Sequence, residues 1–548
     1  MALLLAVFTQ LLQQWNEALK TMPPGFRTAG KILVWEELAS NKVLITIALA
    51  WVLLFVARTC LRNKKRLPPA IPGGLPVLGN LLQLTEKKPH RTFTAWSKEH
   101  GPIFTIKVGS VPQAVVNNSE IAKEVLVTKF ASISKRQMPM ALRVLTRDKT
   151  MVAMSDYGEE HRMLKKLVMT NLLGPTTQNK NRSLRDDALI GMIEGVLAEL
   201  KASPTSPKVV NVRDYVQRSL FPFALQQVFG YIPDQVEVLE LGTCVSTWDM
   251  FDALVVAPLS AVINVDWRDF FPALRWIPNR SVEDLVRTVD FKRNSIMKAL
   301  IRAQRMRLAN LKEPPRCYAD IALTEATHLT EKQLEMSLWE PIIESADTTL
   351  VTSEWAMYEI AKNPDCQDRL YREIVSVAGT ERMVTEDDLP NMPYLGAIIK
   401  ETLRKYTPVP LIPSRFVEED ITLGGYDIPK GYQILVNLFA IANDPAVWSN
   451  PEKWDPERML ANKKVDMGFR DFSLMPFGAG KRMCAGITQA MFIIPMNVAA
   501  LVQHCEWRLS PQEISNINNK IEDVVYLTTH KLSPLSCEAT PRISHRLP

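Results

Sequence analysis

Phe477-Gly-Ala-Gly480-Lys-Arg482-Met-Cys484-Ala-Gly486 is the stretch that decides the fold of this 548-residue chain. An isolated cysteine is usually a small buried apolar residue, but the neighbours of Cys484 indicate another role. Gly480 and Gly486 allow a tight turn close to a flat, bulky group. The apolar run that follows, residues 487–501, predicts a helix whose first N–H groups point back at the sulfur. Such donors favour a thiolate and tune its electron donation.

Two further side chains complete the stretch. Arg482 suits a carboxylate, and Phe477 offers a ring that shields the sulfur from water. Every fixed position matches Phe-x-x-Gly-x-Arg-x-Cys-x-Gly, so the stretch resembles the haem-thiolate signature of the cytochrome P-450 superfamily. The resemblance implies haem b, with Cys484 as the metal ligand and with Phe477, Gly480, Arg482 and Gly486 also binding the cofactor. It implies a mainly α fold with a smaller β region, the cytochrome P-450 fold.

A second motif pairs an acid and a base. Lys400-Glu401-Thr-Leu-Arg404 places Glu401 and Arg404 three residues apart on a predicted helix, and an exposed pair at this spacing contributes only about 0.2–0.5 kcal/mol. Together with Trp454-Asp-Pro456-Glu-Arg458, the segment resembles the Glu-x-x-Arg helix and its partner loop in the same family. The resemblance implies that Glu401, Arg404 and Arg458 form a buried structural network that keeps the haem-binding side rigid.

A long helix is predicted over residues 330–362. Thr330 and Gln333 form a capping box, and Asn363-Pro364 ends the run. Its centre, Glu344-Ser-Ala-Asp347-Thr348-Thr, resembles the oxygen-binding stretch Ala/Gly-Gly-x-Asp-Thr-Thr of the family. The resemblance implies that Asp347 and Thr348 are catalytic, Thr348 by hydrogen-bonding the oxygen or a water and Asp347 by relaying protons from solvent. Taken alone, the two residues also fit an exposed polar pair.

This helix departs from the family pattern at two positions. Ser345 stands where the family usually has glycine, and Pro341 lies inside the helix. Proline removes one backbone hydrogen bond, and a serine hydroxyl can bond to an earlier carbonyl and bend the helix. We therefore consider a bend over the haem, produced by a different route from that of the family.

Three cations resemble the family's contacts to the haem propionates. His161 and Lys165 occupy the positions, four residues apart, where the family commonly has Trp and Arg. Both donate hydrogen bonds, although lysine lacks the planar fork of arginine. Arg415, in Leu411-Ile-Pro-Ser-Arg415, resembles the strand arginine with the same role. An exposed cation is the alternative for each of them.

The front of the chain predicts a membrane anchor. Residues 43–57 are apolar, and with residues 59–61 they approach the about 20 residues that span a bilayer. Basic residues crowd the C-terminal side of this run, which places that side in the cytosol. We therefore divide the chain into an N-terminal extension with a possible targeting role, a transmembrane anchor, a basic and proline-rich hinge, and a haem-thiolate monooxygenase domain: 1–42, 43–61, 62–80 and 81–548. An endoplasmic-reticulum membrane and the plastid outer envelope both stay open.

The net charge limits the kinds of binding partner, and the cysteine content bears on disulfide formation. A formal charge of +6 is modest for this length and does not indicate nucleic acid, and seven scattered cysteines do not indicate a disulfide framework. The family resemblance implies that five basic residues lie near the haem, some of them towards the face where Cys484 sits: Arg162, Lys165, Lys166, Lys481 and Arg482. A basic face of this kind would attract an acidic electron donor, and a generally solvated charged face is the alternative. The resemblance implies that this donor is NADPH–cytochrome P-450 reductase.

The substrate class follows from the apolar stretches that resemble the family's substrate-contact regions: residues 138–145, 339–343, 409–412 and 525–527. They predict a small hydrophobic substrate that arrives from the membrane. Two longer runs, residues 88–96 and 264–279, are similar to the plant ent-kaurene oxidase branch of the family. That similarity implies a tetracyclic diterpene whose methyl group is oxidised in successive steps, ent-kaurene to ent-kaurenoic acid, in gibberellin-type biosynthesis. An oxidase of another terpenoid and a non-catalytic haem-binding sensor remain alternatives, and Asp347 and Thr348 argue against the sensor.

Overall fold

The computed structural model describes residues 65–84, 88–202, 208–264, 266–310, 315–462, 465–518, 523–525 and 528–542. Within this part, the residues from Leu67 onward belong to one compact unit. The predicted N-terminal extension and anchor, residues 1–61, lie outside the described residues, as do residues 526 and 527 of the last substrate-contact stretch. The fold is mainly α with a smaller β region, as the sequence predicts.

The helices surround one central helix. In chain order they are α1 Pro89–His100, α2 Ser119–Lys123, α3 Met140–Leu145, α4 Glu159–Val168, α5 Pro175–Lys180, α6 Arg182–Ala202, α7 Val212–Phe229, α8 Thr247–Phe251, α9 Ala257–Ile263, α10 Arg280–Asn310, α11 Tyr318–Thr324, α12 Glu331–Lys362, α13 Pro364–Ala378, α14 Pro393–Lys405, α15 Leu438–Ala442, α16 Glu457–Ala461, α17 Ile487–His504 and α18 Pro511–Asn518. Single π-turns, Glu124–Thr128, Met169–Leu173 and Asp252–Val256, extend α2, α4 and α8.

The strands form small sheets beside the helices. They are β1 Ile103–Val108, β2 Val111–Val116, β3 Lys135–Arg136, β4 Lys208–Asn211, β5 Gln235–Val238, β6 Thr243–Ser246, β7 Leu411–Phe416, β8 Ile421–Leu423, β9 Tyr426–Ile428, β10 Gln433–Asn437, β11 Cys505–Leu509, β12 Asp523–Val525, β13 Thr529–Lys531 and β14 Ser536–Pro541. The largest sheet has the order β1-β2-β10-β7-β3, in which β2 and β10 are parallel and the other pairs antiparallel. Its last pair places Arg136 opposite Arg415.

The central helix α12 begins and ends where the sequence predicts. Thr330 and Gln333 form the capping box, and the helix ends at Lys362 before Asn363-Pro364. Buried residues occupy every face from Leu334 to Ala361, which is the pattern of a helix enclosed by the protein. The helix continues without interruption past Pro341 and Ser345, and the Ser345 hydroxyl donates to the Ile342 carbonyl at 3.4 Å. This long buried helix forms one wall of the cavity described below.

Helix α17 follows directly after the haem-thiolate motif. It is apolar, and most of it is buried against α12, α13 and α6. Within the described residues it is the one helix long and apolar enough to cross a membrane, but 72% of it lies inside the protein. Its hydropathy is accounted for by its place in the core, where it anchors the Cys484 turn to the rest of the fold.

The proline-rich segment packs on the largest sheet. Ile71 is buried and its N–H donates to the Thr105 carbonyl of β1, while the Asn80 N–H donates to Lys107 of the same strand. Gly79 has a φ of +59°, and a Cβ at this position would lie 2.0 Å from the Lys107 carbonyl oxygen. From Leu67 onward the segment is therefore part of the compact unit.

Candidate active site

A large cavity lies between α12, β7 and the loop that carries Cys484. Its empty volume, which includes space open to solvent, is about 2200 Å³. Cys484 lines one side, and Thr348 of α12 lines another. The structure therefore brings together the two motifs that the sequence places 136 residues apart (484 less 348), with room for a flat cofactor and a second molecule.

The Cys484 turn has the geometry that its glycines predict. Gly480 has a φ of +69°, and a Cβ there would lie 2.5 Å from the Leu126 carbonyl oxygen, so a side chain does not fit. The Cys484 N–H donates to the Phe477 carbonyl at 3.0 Å, and Gly486 immediately precedes α17.

Cys484 lines the cavity. Burial raises the pKa of the Cys484 thiol to about 11, whereas a backbone N–H of Gly486 acts in the opposite direction. Metal ligation requires the thiolate, so binding of iron must displace the proton and the affinity must increase with pH.

Three arginines and a histidine line the cavity beside this turn. One nitrogen on each has no hydrogen-bond partner among the described residues: Arg136 Nε, His161 Nε2, Arg415 Nε and Arg482 Nη1. Burial lowers the pKa of both Arg415 and Arg482 to about 10, and the charge of Arg482 adds to the effect on Arg415. Buried polar groups are normally paired, and guanidinium groups suit carboxylates. The set therefore fits the two carboxylates of a haem.

His161 belongs to this set through its ring. Burial, followed by the charges of Arg482 and Lys165, lowers the pKa of His161 to about 4, so the ring is neutral near pH 7. Its Nδ1 contacts the Ser155 hydroxyl at 3.0 Å.

Lys165 takes a different position from its neighbours. Its ammonium donates to the carbonyls of Lys481 and Met483, at 3.0 and 3.2 Å, and so it joins α4 to the Cys484 turn. These bonds use part of its donor capacity, and its contact with a haem carboxylate stays a prediction.

The predicted acid and alcohol lie on α12, in the side of the cavity that we call the distal wall. The Thr348 hydroxyl faces the cavity and donates to the Glu344 carbonyl at 3.2 Å. Asp347 is buried, 7% exposed, and both carboxylate oxygens are engaged: the Thr528 hydroxyl donates to Oδ2 at 2.6 Å, and His530 Nε2 lies 2.9 Å from Oδ1. Asp347 is therefore bonded to side chains near the C-terminus. A proton that reaches it from solvent must pass these neighbouring groups.

Two carboxyl groups one helical turn apart complete this wall. Glu340 accepts hydrogen bonds from the Val152 and Ala153 N–H groups, each at 2.7 Å, and the Ala153 carbonyl accepts from Arg482 at 2.9 Å. Burial and the Glu340 charge raise the pKa of Glu344 well above its usual range. Glu344 is therefore a neutral acid that donates to Glu340, and it presents an uncharged hydrogen-bonding group to the cavity.

Comparison with known proteins identifies the family. The family model described as Cytochrome P450 matches residues 68–533. The chain belongs to the cytochrome P450 family. It is a P450 monooxygenase with a haem-thiolate iron cofactor, and the family implies a redox partner and a small hydrophobic substrate.

Relatives and solved structures agree with this assignment. The chain is 44% identical to a protein named ent-kaurene oxidase from Salvia miltiorrhiza, over 91% of this chain and 96% of the relative. It is 45% identical to ent-kaurene oxidase 2 from Oryza sativa subsp. japonica, over 88% of this chain and 93% of the relative. A zebrafish cytochrome P450 solved with abiraterone superposes with a TM-score of 0.65 at 22% identity, over 83% of this chain and all of the other. The likeness to the zebrafish structure shows the fold.

The P450 has a buried ion network away from the cavity, at the residues that the sequence predicts. Arg404 donates to both oxygens of Glu401, each at 2.8 Å, and Arg458 Nε lies 3.1 Å from Glu401 Oε1. Backbone groups complete the network: Arg404 also donates to the Ala442 carbonyl, and Glu401 accepts from the Asp455 N–H. This pairing joins α14 to the loop before the Cys484 turn.

Sequence reasoning missed four residues of the site: Arg136, Glu340, Thr528 and His530. Glu340 had a detectable signal, since two acids at i and i+4 stand on a helix that is otherwise apolar at that point. Arg136 reaches the cavity because β3 pairs with β7. Thr528 and His530 reach Asp347 from 181 and 183 residues away (528 and 530 less 347). No local pattern marks these last three positions.

Proposed function

We propose that this P450 oxidises a methyl group of a tetracyclic diterpene in successive steps, ent-kaurene to ent-kaurenoic acid, in gibberellin-type diterpenoid biosynthesis. The observation that carries the proposal is the 44–45% identity to two proteins named ent-kaurene oxidase over 88–91% of the chain. The apolar cavity above Cys484 supports it, because a hydrocarbon substrate gains free energy by leaving water. Electrons are supplied by NADPH–cytochrome P450 reductase.

The cavity supplies binding, orientation and protons. When bound, the haem supplies the oxygen chemistry, with Cys484 as the iron ligand and with Phe477, Gly480, Gly486, Arg482, Arg415, His161 and Lys165 around the cofactor. Arg136, the cation that faces Arg415, joins this group. Apolar side chains such as Leu145, Trp339 and Ile412 exclude water and hold the substrate.

Side chains of the distal wall bind water or oxygen and transfer protons during the reaction. The Thr348 hydroxyl holds a water or oxygen at the reacting centre, and Asp347 supplies protons to it. Successive oxidation also requires the cavity to keep an alcohol and then an aldehyde without releasing them. Glu344 is a neutral acid whose O–H is donated to Glu340, so its carboxyl oxygens accept a hydrogen bond from the alcohol without the cost of a buried charge.

A second candidate function differs in the site of oxidation. The chain is also 45% identical, over 87% of its length, to an Oryza sativa protein named ent-sandaracopimaradiene 3-hydroxylase. A single ring hydroxylation of a related diterpene needs the same haem motifs and only a different fit of the hydrocarbon. The haem-binding sensor is the weaker alternative, since the chain is a monooxygenase by family.

One assay separates the two functions. The purified protein, with reductase and NADPH, is supplied with ent-kaurene and, in parallel, ent-sandaracopimaradiene. We expect ent-kaurene to give the alcohol, the aldehyde and the acid in that order, detected by mass spectrometry of extracted products. Hydroxylation of ent-sandaracopimaradiene with no oxidation of ent-kaurene would replace the first proposal with the second.

The membrane assignment is also a proposal. Residues 43–61 anchor the chain, the catalytic unit faces the cytosol, and the membrane is the endoplasmic reticulum or the plastid outer envelope. The length and apolar composition of this run and the basic residues after it support the anchor.

A further inference from the structure

Lys165 differs from the arginines of the cavity in what it contacts. Arg415 and Arg482 each keep a nitrogen without a hydrogen-bond partner among the described residues, and such a nitrogen suits a haem carboxylate. The Lys165 ammonium instead donates to the carbonyls of Lys481 and Met483, at 3.0 and 3.2 Å. Two of its three N–H groups therefore already have partners within the chain.

Helix α4 turns Lys165 inward. The helix buries His161, Leu164 and Val168, and Lys165 follows His161 by four residues, so the two side chains leave the helix on the same side. Lys165 is half-buried and lines the cavity. Its position is therefore set by the helix and is not that of a fully solvated surface cation.

The two carbonyls belong to the turn that presents the cysteine. Residues Gly480–Arg482 form a single 3₁₀ turn, which the Met483 N–H closes by donating to the first carbonyl of the turn at 3.1 Å. Carbonyls at the end of a helical turn have no partner within it, and Lys165 donates to one in the turn and to one just after it. The Met483 carbonyl is part of the same peptide group as the Cys484 N–H. Lys165 therefore holds the cysteine-bearing peptide from its carbonyl side.

The residue type suits these carbonyl oxygens. A lysine carries three N–H donors on one atom, which can point to separate acceptors, whereas the planar fork of arginine matches the two oxygens of one carboxylate. This chain has Lys165 where the family commonly has arginine. The difference in residue type therefore fits a difference in partner, carbonyls of the Cys484 turn in place of a haem carboxylate.

The ammonium also brings a positive charge close to the sulfur. Burial raises the pKa of the Cys484 thiol, and the charge of Lys165 opposes that rise. Charges and hydrogen bonds around a ligating sulfur change its electron donation and the reduction potential of the metal. A cation held beside a thiolate is therefore expected to reduce the electron density that the sulfur gives to iron.

We propose that Lys165 is a positioning residue for Cys484, which ties α4 to the cysteine-bearing turn and limits the electron donation of the thiolate. The proposal rests on the function proposed above only in that Cys484 binds the iron. It gives Lys165 a role on the sulfur side of the cofactor, in addition to any contact with a haem carboxylate.

The test uses the full-length holoenzyme without turnover. Lys165→Met keeps an apolar stem but removes the charge and all three donors. We expect the iron–sulfur stretching frequency, measured by resonance Raman spectroscopy, to rise because the thiolate donates more strongly. The reduction potential should become more negative, because the added electron loses a nearby positive charge. The thiolate-type carbon monoxide band should be lost about tenfold faster on warming, as for other residues that support a metal ligand.

Two further variants separate the sulfur side of the cofactor from its carboxylates. Arg415→Met should speed transfer of haem to a haem-accepting protein and leave the iron–sulfur stretch as in the wild type. Lys166→Met removes the same charge as Lys165→Met from an exposed position on α4. It is the matched control and should keep both the wild-type stretch and the wild-type stability of the carbon monoxide band.

The iron–sulfur stretch decides between the possible roles. A higher frequency in Lys165→Met, with the wild-type frequency in Arg415→Met and Lys166→Met, supports the inference. An unchanged or lower frequency in Lys165→Met overturns it, and faster haem transfer in that variant would then assign Lys165 to a haem carboxylate. If Lys165→Met does not bind haem, Lys165→Gln, which keeps a neutral donor on a shorter stem, is judged by the same frequency.

The outcomes also separate this inference from the proposed function. A wild-type protein that oxidises neither diterpene contradicts the proposed function, and the stretch still decides the role of Lys165. A wild-type protein without the thiolate-type carbon monoxide band contradicts Cys484 as the iron ligand and overturns the role of Lys165 with it.

Discussion

Two groups of buried arginines in this P450 differ in one respect. Around Glu401, the guanidinium groups of Arg404 and Arg458 face a carboxylate and backbone carbonyls. Around the cavity, Arg136, Arg415 and Arg482 face one another, and each keeps a nitrogen without a partner among the described residues. The first group is complete within the chain, whereas the second requires an anion from outside it.

The two groups show which property distinguishes a structural arginine from a ligand-binding one. Burial alone does not, because Arg404 and Arg415 are both almost fully buried, at 0% and 3% exposed. The hydrogen-bond partners do, since Arg404 donates to both oxygens of Glu401, whereas Arg415 Nε has no partner among the described residues. Burial lowers the pKa of Arg415 to about 10. Replacing an arginine by an apolar residue is therefore expected to lower the unfolding free energy in the Glu401 group and not in the cavity group.

The largest effect is expected at Cys484. Cys484→Ser should abolish the thiolate-type carbon monoxide band of the reduced protein, because a hydroxyl is a far poorer electron donor than a thiolate. The haem-free fold should survive, since the sulfur contributes little to packing. Cys244→Ser, at an exposed thiol, is the control and should keep the band. A band that persists in Cys484→Ser would mean that another residue binds the iron.

The next largest effect is expected in the complete group. Arg404→Leu leaves Glu401 with a buried charge that has lost its two-bond partner, and breaking such a pair costs about 3–5 kcal/mol. Urea unfolding measures the loss. Arg143→Leu removes an exposed arginine from its pair with the exposed Asp148 and should cost no more than about 1 kcal/mol. Equal effects of the two substitutions would show that the Glu401 network contributes no more than a surface pair.

An intermediate effect is expected from pH. The folded haem-free protein lowers the pKa of His161 from 6.5 to about 4, so the unfolded chain binds a proton that the folded one does not. Stability from this group is therefore lost as pH falls from about 6.5 towards 4, by about 2 kcal/mol at pH 5. His161→Gln should reduce the loss of unfolding free energy between pH 7 and pH 5 by that amount. Identical losses in both proteins would place the acid sensitivity elsewhere.

The smallest effect on stability is expected at Arg415. Arg415→Met removes a buried cation without a full set of partners, so the unfolding free energy of the haem-free protein should stay unchanged or rise by about 1 kcal/mol. The holoprotein should instead lose haem faster, measured by transfer to a haem-accepting protein. A loss of haem-free stability as large as that of Arg404→Leu would remove the distinction between the two groups.

Local patterns predicted much of this molecule. The ends of α12 follow from Thr330, Gln333 and Asn363-Pro364, and the Cys484 turn follows from its glycines. The Glu401 network was expected as a unit from the family resemblance. In each case the residues that interact either lie within one turn of chain or belong to a motif that fixes its own partner.

Long-range pairing was not predictable in the same way. Arg136 faces Arg415 because a two-residue strand pairs with β7, and nothing near Arg136 in the sequence specifies that partner. Asp347 was expected to relay protons from solvent, and nothing near it in the sequence indicates that its oxygens are bonded to Thr528 and His530. Such contacts depend on how the chain returns to itself, which hydrophobic periodicity and motif spacing do not determine.

The pairing of the short strand β3 bears on how long the protein persists in the cell. It consists of Lys135 and Arg136, and its pairing with β7 sets Arg136 directly opposite Arg415. Like charges at such positions push strands apart, and a group that binds only the folded chain stabilises it by mass action. We therefore expect bound haem to stabilise this edge of the sheet. We also expect chains without haem to unfold more readily, so that protease clearance and the steady-state amount of enzyme follow the haem supply.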